Sequence, residues 1–275
     1  MFDNIKEREL KIPEIFNLAG MMFKKSVKTI GLLMLTMLGV AVAFGTVGFA
    51  MLLLIDVADS MALWLGMGVA VVLIYLASST IVNMAMTNIS LKLLAQEEVI
   101  SLRVILPSGK TVVKGMLAAL PILISGMPVV VILFNFGLLY LAYGTAEFSA
   151  NETYILMFFT ILTMYLIILL TFRNHVIAHQ GKGAWSVLKE CMSLLKGRFL
   201  KTLVFLVLTA LFSAIPSLLM NVSYQMSSMM GALYNMVIWI LGIFISYYIM
   251  MATAVWYLNR YYTTGKLGQE NNDNN

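Results

Sequence analysis

Residues 202–220 read TLVFLVLTALFSAIPSLLM, nineteen residues with no charge among them. A helix needs about 20 apolar residues to cross the hydrocarbon layer of a membrane. Arg198 and Lys201 stand immediately before this stretch. The same sequence of events recurs along the chain. Uncharged stretches at Thr29–Ile55, Met61–Met86, Gly115–Ala146, Thr153–Phe172 and Leu233–Leu258 are also long enough to cross, together with Thr202–Met220. The expected fold is all-α, a polytopic integral membrane bundle of six transmembrane helices. The third stretch, at 32 residues, is too long for one perpendicular helix and too short for two. It is expected to tilt, kink or run past the membrane surface.

Composition excludes the soluble alternatives. Hydrophobic residues make up 61% of the 275 and charged residues 11%, against about 45–50% and about 25% in globular proteins. So little polar surface cannot cover a water-soluble domain of this size. The 22 Met and 15 Phe exclude a disordered chain, and 19 Gly with 5 Pro exclude collagen-like or linker sequence.

The basic residues set the orientation. Lys6, Arg8, Lys11, Lys24, Lys25 and Lys28 precede the first stretch, and Lys92, Arg103, Lys110 and Lys114 lie between the second and third. Arg173, Lys182, Lys189, Lys196, Arg198 and Lys201 lie between the fourth and fifth, and Arg260 and Lys266 follow the sixth. These are all 18 Lys and Arg; the remaining connections carry only Asp56, Asp59, Glu147 and Glu152. Lys and Arg collect on the cytoplasmic side of membranes, so both termini are expected inside. The charged first 28 residues lack the short apolar core and small-residue site of a cleaved signal, so the first span is expected to stay. Residues 1–265 form one transmembrane domain in this reading, and 266–275 a disordered cytoplasmic tail. The net charge of +5 lies beside spans, which points to orientation and anionic lipid headgroups rather than nucleic acid.

A repeat runs through the chain. Lys28, Lys114 and Lys201 each open an outward span, 86 and 87 residues apart, and Asn88, Asn174 and Asn259 each close a returning one, 86 and 85 apart. Ser125-Gly126-Met127-Pro128 returns as Ser213-Ala214-Ile215-Pro216. Three units of about 87 residues, near 12–88, 89–175 and 176–262, follow. Each consists of an amphipathic segment, a basic step and a hairpin of two spans. In the third unit Trp185, Leu188, Met192 and Leu195 fall on one helical face, with Ser186, Lys189, Ser193 and Lys196 between them. In the first, Ile12, Ile15, Phe16, Ala19, Met22 and Phe23 share a face and Pro13 sits in the first turn. The second, Leu91–Leu106, is less regular and ends at Pro107-Ser108-Gly109. Such a helix either lies in the membrane interface, its basic flanks on anionic lipid, or packs on its own bundle. The basic residues expected at the lipid interface are Lys24, Lys25, Lys28, Lys110, Lys114, Lys189, Lys196, Arg198 and Lys201.

Two stretches resemble a known group. Ile12-Pro13-Glu14-Ile15-Phe16-Asn17 followed by Phe23-Lys24-Lys25 is similar to the opening of the membrane domain of glycerophosphodiester phosphodiesterases and its stand-alone six-span bacterial relatives. Gly183-Ala184-Trp185-Ser186 through Leu194-Leu195-Lys196-Gly197-Arg198-Phe199 resembles that group's other recurrent stretch. The resemblance implies a bundle of the bacterial inner membrane. It implies no catalysis, because the phosphodiesterase activity there belongs to a separate soluble domain.

The residues themselves carry little chemistry. No ionisable side chain stands mid-span, which weighs against a proton relay or ion-coupled transport. His175 and His179 are spaced for one helix face, but Val176 stands where a zinc-protease motif has Glu, and solvated imidazoles at a helix end are the plainer reading. Gly109-Lys110-Thr111 resembles the end of a phosphate loop, yet Val104 replaces the glycine such a loop needs. Lone Cys191 reads as a buried thiol. No cofactor and no metal site is expected. Pro121, Ser125, Gly126 and Pro128 interrupt the third span, and Ser213 and Pro216 the fifth, at matching places. Interrupted spans of repeats often line a cavity, although prolines also kink helices for packing alone. The expected function is a non-catalytic, lipid-associated or accessory membrane protein, with membrane lipids and a partner membrane protein as candidates for contact. The alternative is a permease or exporter of a neutral or apolar solute through a cavity at the broken third and fifth helices.

Overall fold

The computed structural model of the chain describes residues 4–54, 61–95, 101–143, 148–220 and 228–273. Twelve helices and no strand occur among the described residues. An N-terminal arm carries α1 (Asn4–Glu7) and α2 (Ile12–Lys25), followed by the long α3 (Val27–Leu54) and α4 (Met61–Leu94). Next come α5 (Leu102–Ile105), α6 (Gly109–Leu117), α7 (Leu120–Tyr143), α8 (Ala150–Leu169) and α9 (Arg173–Gln180). The chain ends with α10 (Ala184–Leu195), α11 (Phe199–Met220) and α12 (Ser228–Asp273).

Five segments are long and apolar enough to cross a membrane: Ala70–Leu94, Leu120–Gly137, Ala150–Gln180, Phe199–Met220 and Met230–Thr264. Six are expected from the sequence. Of the remaining one, α3 is helical from Val27 to Leu54, and its apolar part is described only over Val27–Val40, which by itself is too short to cross. The over-long third stretch resolves into two helices. Gly115–Leu117 completes α6, two residues turn, and α7 begins at Leu120 with Pro121 in its first turn, where a missing N–H costs nothing. Ser108 caps α6, its hydroxyl accepting from the Thr111 amide. The Gly109-Lys110-Thr111 run is therefore the first turn of a capped helix. Ser149 and Glu152 form a reciprocal cap that starts α8; Asp56, Asp59 and Glu147 lie outside the described residues.

The buried core lies at one end of the molecule. It draws on the last turns of α4 (Met84, Ala85, Met86, Ile89), the α8–α9 junction (Leu169, Leu170, Phe172, Val176) and α12 (Met251, Val255, Trp256, Tyr257). The sequence expects this end to be basic and cytoplasmic. Helix α2 lies over α12 and buries Ile15, Leu18, Ala19 and Met22; Phe16 stacks on Phe205 at 5.5 Å and meets Tyr248 at 6.2 Å. Of the two readings left open for this helix, packing on its own bundle is the one observed for that face.

The opposite halves of the helices are bare. Ile124, Met127 and Val130 on α7, Phe158 and Ile161 on α8, and Leu211 and Leu218 on α11 are all exposed. A water-soluble monomer rarely leaves so large an apolar surface open. Surrounded by lipid tails, those side chains have no hydrophobic reason to bury against one another. Helix α12 is drawn on to Asp273, into the segment read as a tail. Side chains beyond Thr264 lie outside the described residues.

Candidate functional site

Under the bare halves, a collar of polar contacts ties the helix ends together. Asn259, in the C-terminal half of α12, holds the N-terminal arm: its Nδ2 donates to the Ile5 and Arg8 carbonyls at 2.9 and 2.7 Å, and its Oδ1 accepts from the Leu10 amide at 3.0 Å. Asn88, on α4, donates to the Ile105 carbonyl at 2.8 Å. Asn174 is buried, and its Oδ1 has no hydrogen-bond partner. The basic residues behave in the same way. Lys114 Nζ donates to the Gly181 carbonyl at 3.1 Å, and Lys201 Nζ to the Leu10 carbonyl at 2.8 Å. Gly181 ends α9 with φ of 65°, a left-handed turn that glycine adopts without strain.

Glu9 faces two cations, with Lys201 Nζ 2.6 Å from Oε1 and Arg198 Nε 2.8 Å from Oε2. Burial alone would raise the Glu9 carboxyl, but the bonds from Lys201 and then Arg198 outweigh it and hold it below the usual carboxylate value. Arg260 is buried and forks its Nε and Nη2 onto the Leu194 carbonyl at 3.0 and 2.9 Å.

The histidines depart from the sequence reading. His175 is buried, and its Nδ1 lies 2.6 Å from the Thr87 hydroxyl; His179 is partly buried, with Nδ1 3.0 Å from the Tyr257 hydroxyl. They are not solvated helix-end imidazoles. The extra helical turns beyond the expected span ends draw both into the core, and a polar group buried there needs a partner. Cys191 is buried as expected, and burial pushes its thiol up to about 12.

Beside the collar, a cavity of about 460 Å³ opens between α7, α8 and α10. Leu117, Pro121 and Ser125 form one wall, Phe159, Leu162 and Leu166 a second, and Ala184, Trp185 and Leu188 a third. Apart from the indole N–H of Trp185, Ser125 carries the polar group among them. Its hydroxyl already donates to the Ile122 carbonyl at 3.0 Å and accepts from Thr163 at 3.1 Å. Trp185 at the rim is 83% exposed.

Two of the six residues expected to line a cavity, Pro121 and Ser125, do so. Gly126 instead faces Thr163 on α8, and Pro128 lies within α7. Ser213 bonds back to the Thr209 carbonyl at 2.8 Å, and Pro216 is buried beside Gly242. The matching proline of the fifth stretch therefore serves helix contact, and neither Ser213 nor Pro216 lines this cavity. Of the expected lipid-facing cations, Lys24, Lys28, Lys110, Lys189 and Lys196 are exposed, whereas Lys114, Arg198 and Lys201 bond within the protein. Lys25 also has an interaction within the chain.

Helix α10 was read with its apolar face on Trp185, Leu188, Met192 and Leu195. The buried face is Val187, Cys191, Leu194 and Leu195. Trp185 and Met192 are exposed beside it, and Lys189 and Lys196 follow them round the helix. Leu195 alone is common to the two faces.

These features define an all-α bundle of the multi-pass membrane type. No family model, curated protein or solved structure matches the chain.

Proposed function

We propose that the chain is a non-catalytic protein of a bacterial cytoplasmic membrane, with six spans and both termini inside, whose role is lipid-associated or accessory. The observation that carries this reading is the arrangement of faces on α10. One face is buried in the bundle, the next is apolar and exposed through Trp185 and Met192, and the next is basic through Lys189 and Lys196. A helix with that order of faces suits the boundary between acyl chains and headgroups, where basic side chains reach the anionic surface.

The threefold unit is part of the proposal. It is supported by Lys114 and Lys201, 87 residues apart, each binding a backbone carbonyl in the segment before an amphipathic helix. Asn88 and Asn259 likewise each bind the backbone of a segment that leads into a helix. The place of the chain near the six-span relatives of the phosphodiesterase membrane domain rests on the sequence resemblance. The permease alternative draws on the cavity at Pro121 and Ser125, but lacks a contribution from the fifth span.

The test is binding of the purified protein to lipid nanodiscs with and without anionic phospholipid. Replacing Lys189 and Lys196 together by Gln is expected to weaken retention of anionic lipid by about tenfold or more, at about 1 kcal/mol for each cation. Unchanged retention overturns the interfacial role.

A further inference from the structure

We propose that the cavity between α7, α8 and α10 binds one acyl chain of an anionic glycerophospholipid, whose phosphate is held by Lys189 and Lys114. This rests on the membrane-interface reading of α10 above and adds a defined site to it.

The cavity walls specify the chain. A volume of about 460 Å³ lies within the ~300–1,000 Å³ usual for small-ligand sites. Apart from Trp185 at the rim, its polar lining group is the Ser125 hydroxyl, which is satisfied by Ile122 and Thr163. A polar solute inside would leave its own groups without partners, which is costly away from water. A hydrocarbon chain loses nothing there.

The charges specify the headgroup. Lys189 is exposed, follows the lining residue Leu188 and lies one helical turn from Trp185, so its ammonium can reach the rim. Lys114 stands one turn before the lining residue Leu117. Its Nζ spends one donor on the Gly181 carbonyl at 3.1 Å, and an ammonium has three. That bond also draws α6 to the loop opening α10, so two walls of the cavity are tied at the end where a phosphate would sit. Trp185, exposed yet lining the cavity, has the apolar body and single N–H that suit the level between chains and headgroups.

The full chain, reconstituted in phosphatidylcholine nanodiscs, is irradiated with a phosphatidylglycerol or a phosphatidylcholine probe bearing a diazirine mid-chain, and the adducts are mapped by mass spectrometry. The expected result is adducts at the cavity-lining residues Phe159, Leu162 and Leu166 of α8, at least about fivefold more from the phosphatidylglycerol probe, the increment of a single surface lysine. Lys189→Gln, at an exposed position, is expected to narrow that preference, with Lys114 holding the remainder. Ala184→Phe, which fills the cavity from the start of α10, is expected to remove the adducts at Phe159, Leu162 and Leu166 while those on the exposed Ile161 of α8 and on Leu211 and Leu218 of α11 persist. Equal labelling by both probes with no effect of Ala184→Phe overturns the site while leaving the membrane reading standing. Absence of adducts on α11 from either probe overturns the membrane reading itself. Absence of adducts at Phe159, Leu162 and Leu166 from either probe, while those on α11 persist, also overturns the site.

Discussion

Lys201 and Glu9, 192 residues apart in the chain, meet at 2.6 Å. Lys201 opens α11 and Glu9 belongs to the N-terminal arm, so this contact and the Arg198 bond beside it fasten the arm to the bundle. Side chains of both Glu9 and Lys201 are only about a quarter exposed, at 24% and 26%. The pair is thus better shielded than an ordinary surface bridge, and worth about 1 kcal/mol at the upper end for such contacts. Glu9→Gln is expected to lower thermal stability by that order, as read by unfolding in detergent.

The pH dependence of that contact has a definite sign. The Glu9 carboxyl is held below its ordinary value of 4.5, with Lys201, Arg198 and Arg260 as the cations around it. A lowered carboxylate stabilises the fold fully above the unfolded value and loses that contribution as pH falls through the folded one. Stability of the native chain is therefore expected to drop more steeply than that of Glu9→Gln on acidification below 4.5. Parallel curves would show that Glu9 makes no such contribution.

Asn259 satisfies three backbone groups of the arm: Ile5 O, Arg8 O and Leu10 N. Asn259→Leu strands all three, at about 1–3 kcal/mol for each group left buried. Tryptic cleavage after Lys6, Arg8 or Lys11 is expected to accelerate strongly. Asn88→Leu, which strands only the Ile105 carbonyl, is expected to leave the arm protected.

The parts of this molecule legible in the sequence are those set by solvent and charge. Uncharged runs gave the helices, because lipid demands an apolar stretch of fixed length, and Pro13 and Ser108 marked turns by backbone chemistry alone. The face buried by α10 was not legible. A membrane-interface helix is apolar both where it meets protein and where it meets lipid, so periodicity cannot separate Val187, Cys191 and Leu194 from Trp185 and Met192. The His175–Thr87 contact was hidden for a related reason, since helical turns beyond the apolar run continue the bundle instead of entering water. Pro121 and Ser125 were found from the proline signal, whereas Phe159 and Leu162 look like any other lipid-facing residues until the fold places them opposite.

Cys191 provides a direct readout of the collar. Its thiol is buried and pushed up to about 12, with Arg173 opposing and Glu190 adding to the rise. Only the thiolate reacts readily. Maleimide labelling of the folded protein at neutral pH is expected to be at least about a hundredfold slower than that of the unfolded chain. Prompt labelling in detergent would mean that α10 has lifted from the bundle.

Gly115 is the closest approach between helices that the glycines reveal. A Cβ there would stand 2.5 Å from Thr80 Cγ2, 2.7 Å from Met84 Cε and 3.1 Å from Asn174 Oδ1. Met84 has a flexible end and can yield, but Thr80 is branched at Cβ, buried and fixed on α4, so the helices themselves must part. Overpacking of this kind costs about 1–3 kcal/mol, more than the roughly 1 kcal/mol that alanine gains over glycine within a helix. Gly115→Ala is therefore expected to be destabilising. Gly31→Ala and Gly39→Ala, where an added Cβ meets nothing within 4 Å, are expected to be neutral or mildly stabilising in the same unfolding assay. A stabilised Gly115→Ala would show that α4 and α6 do not approach as closely as the Thr80 contact requires.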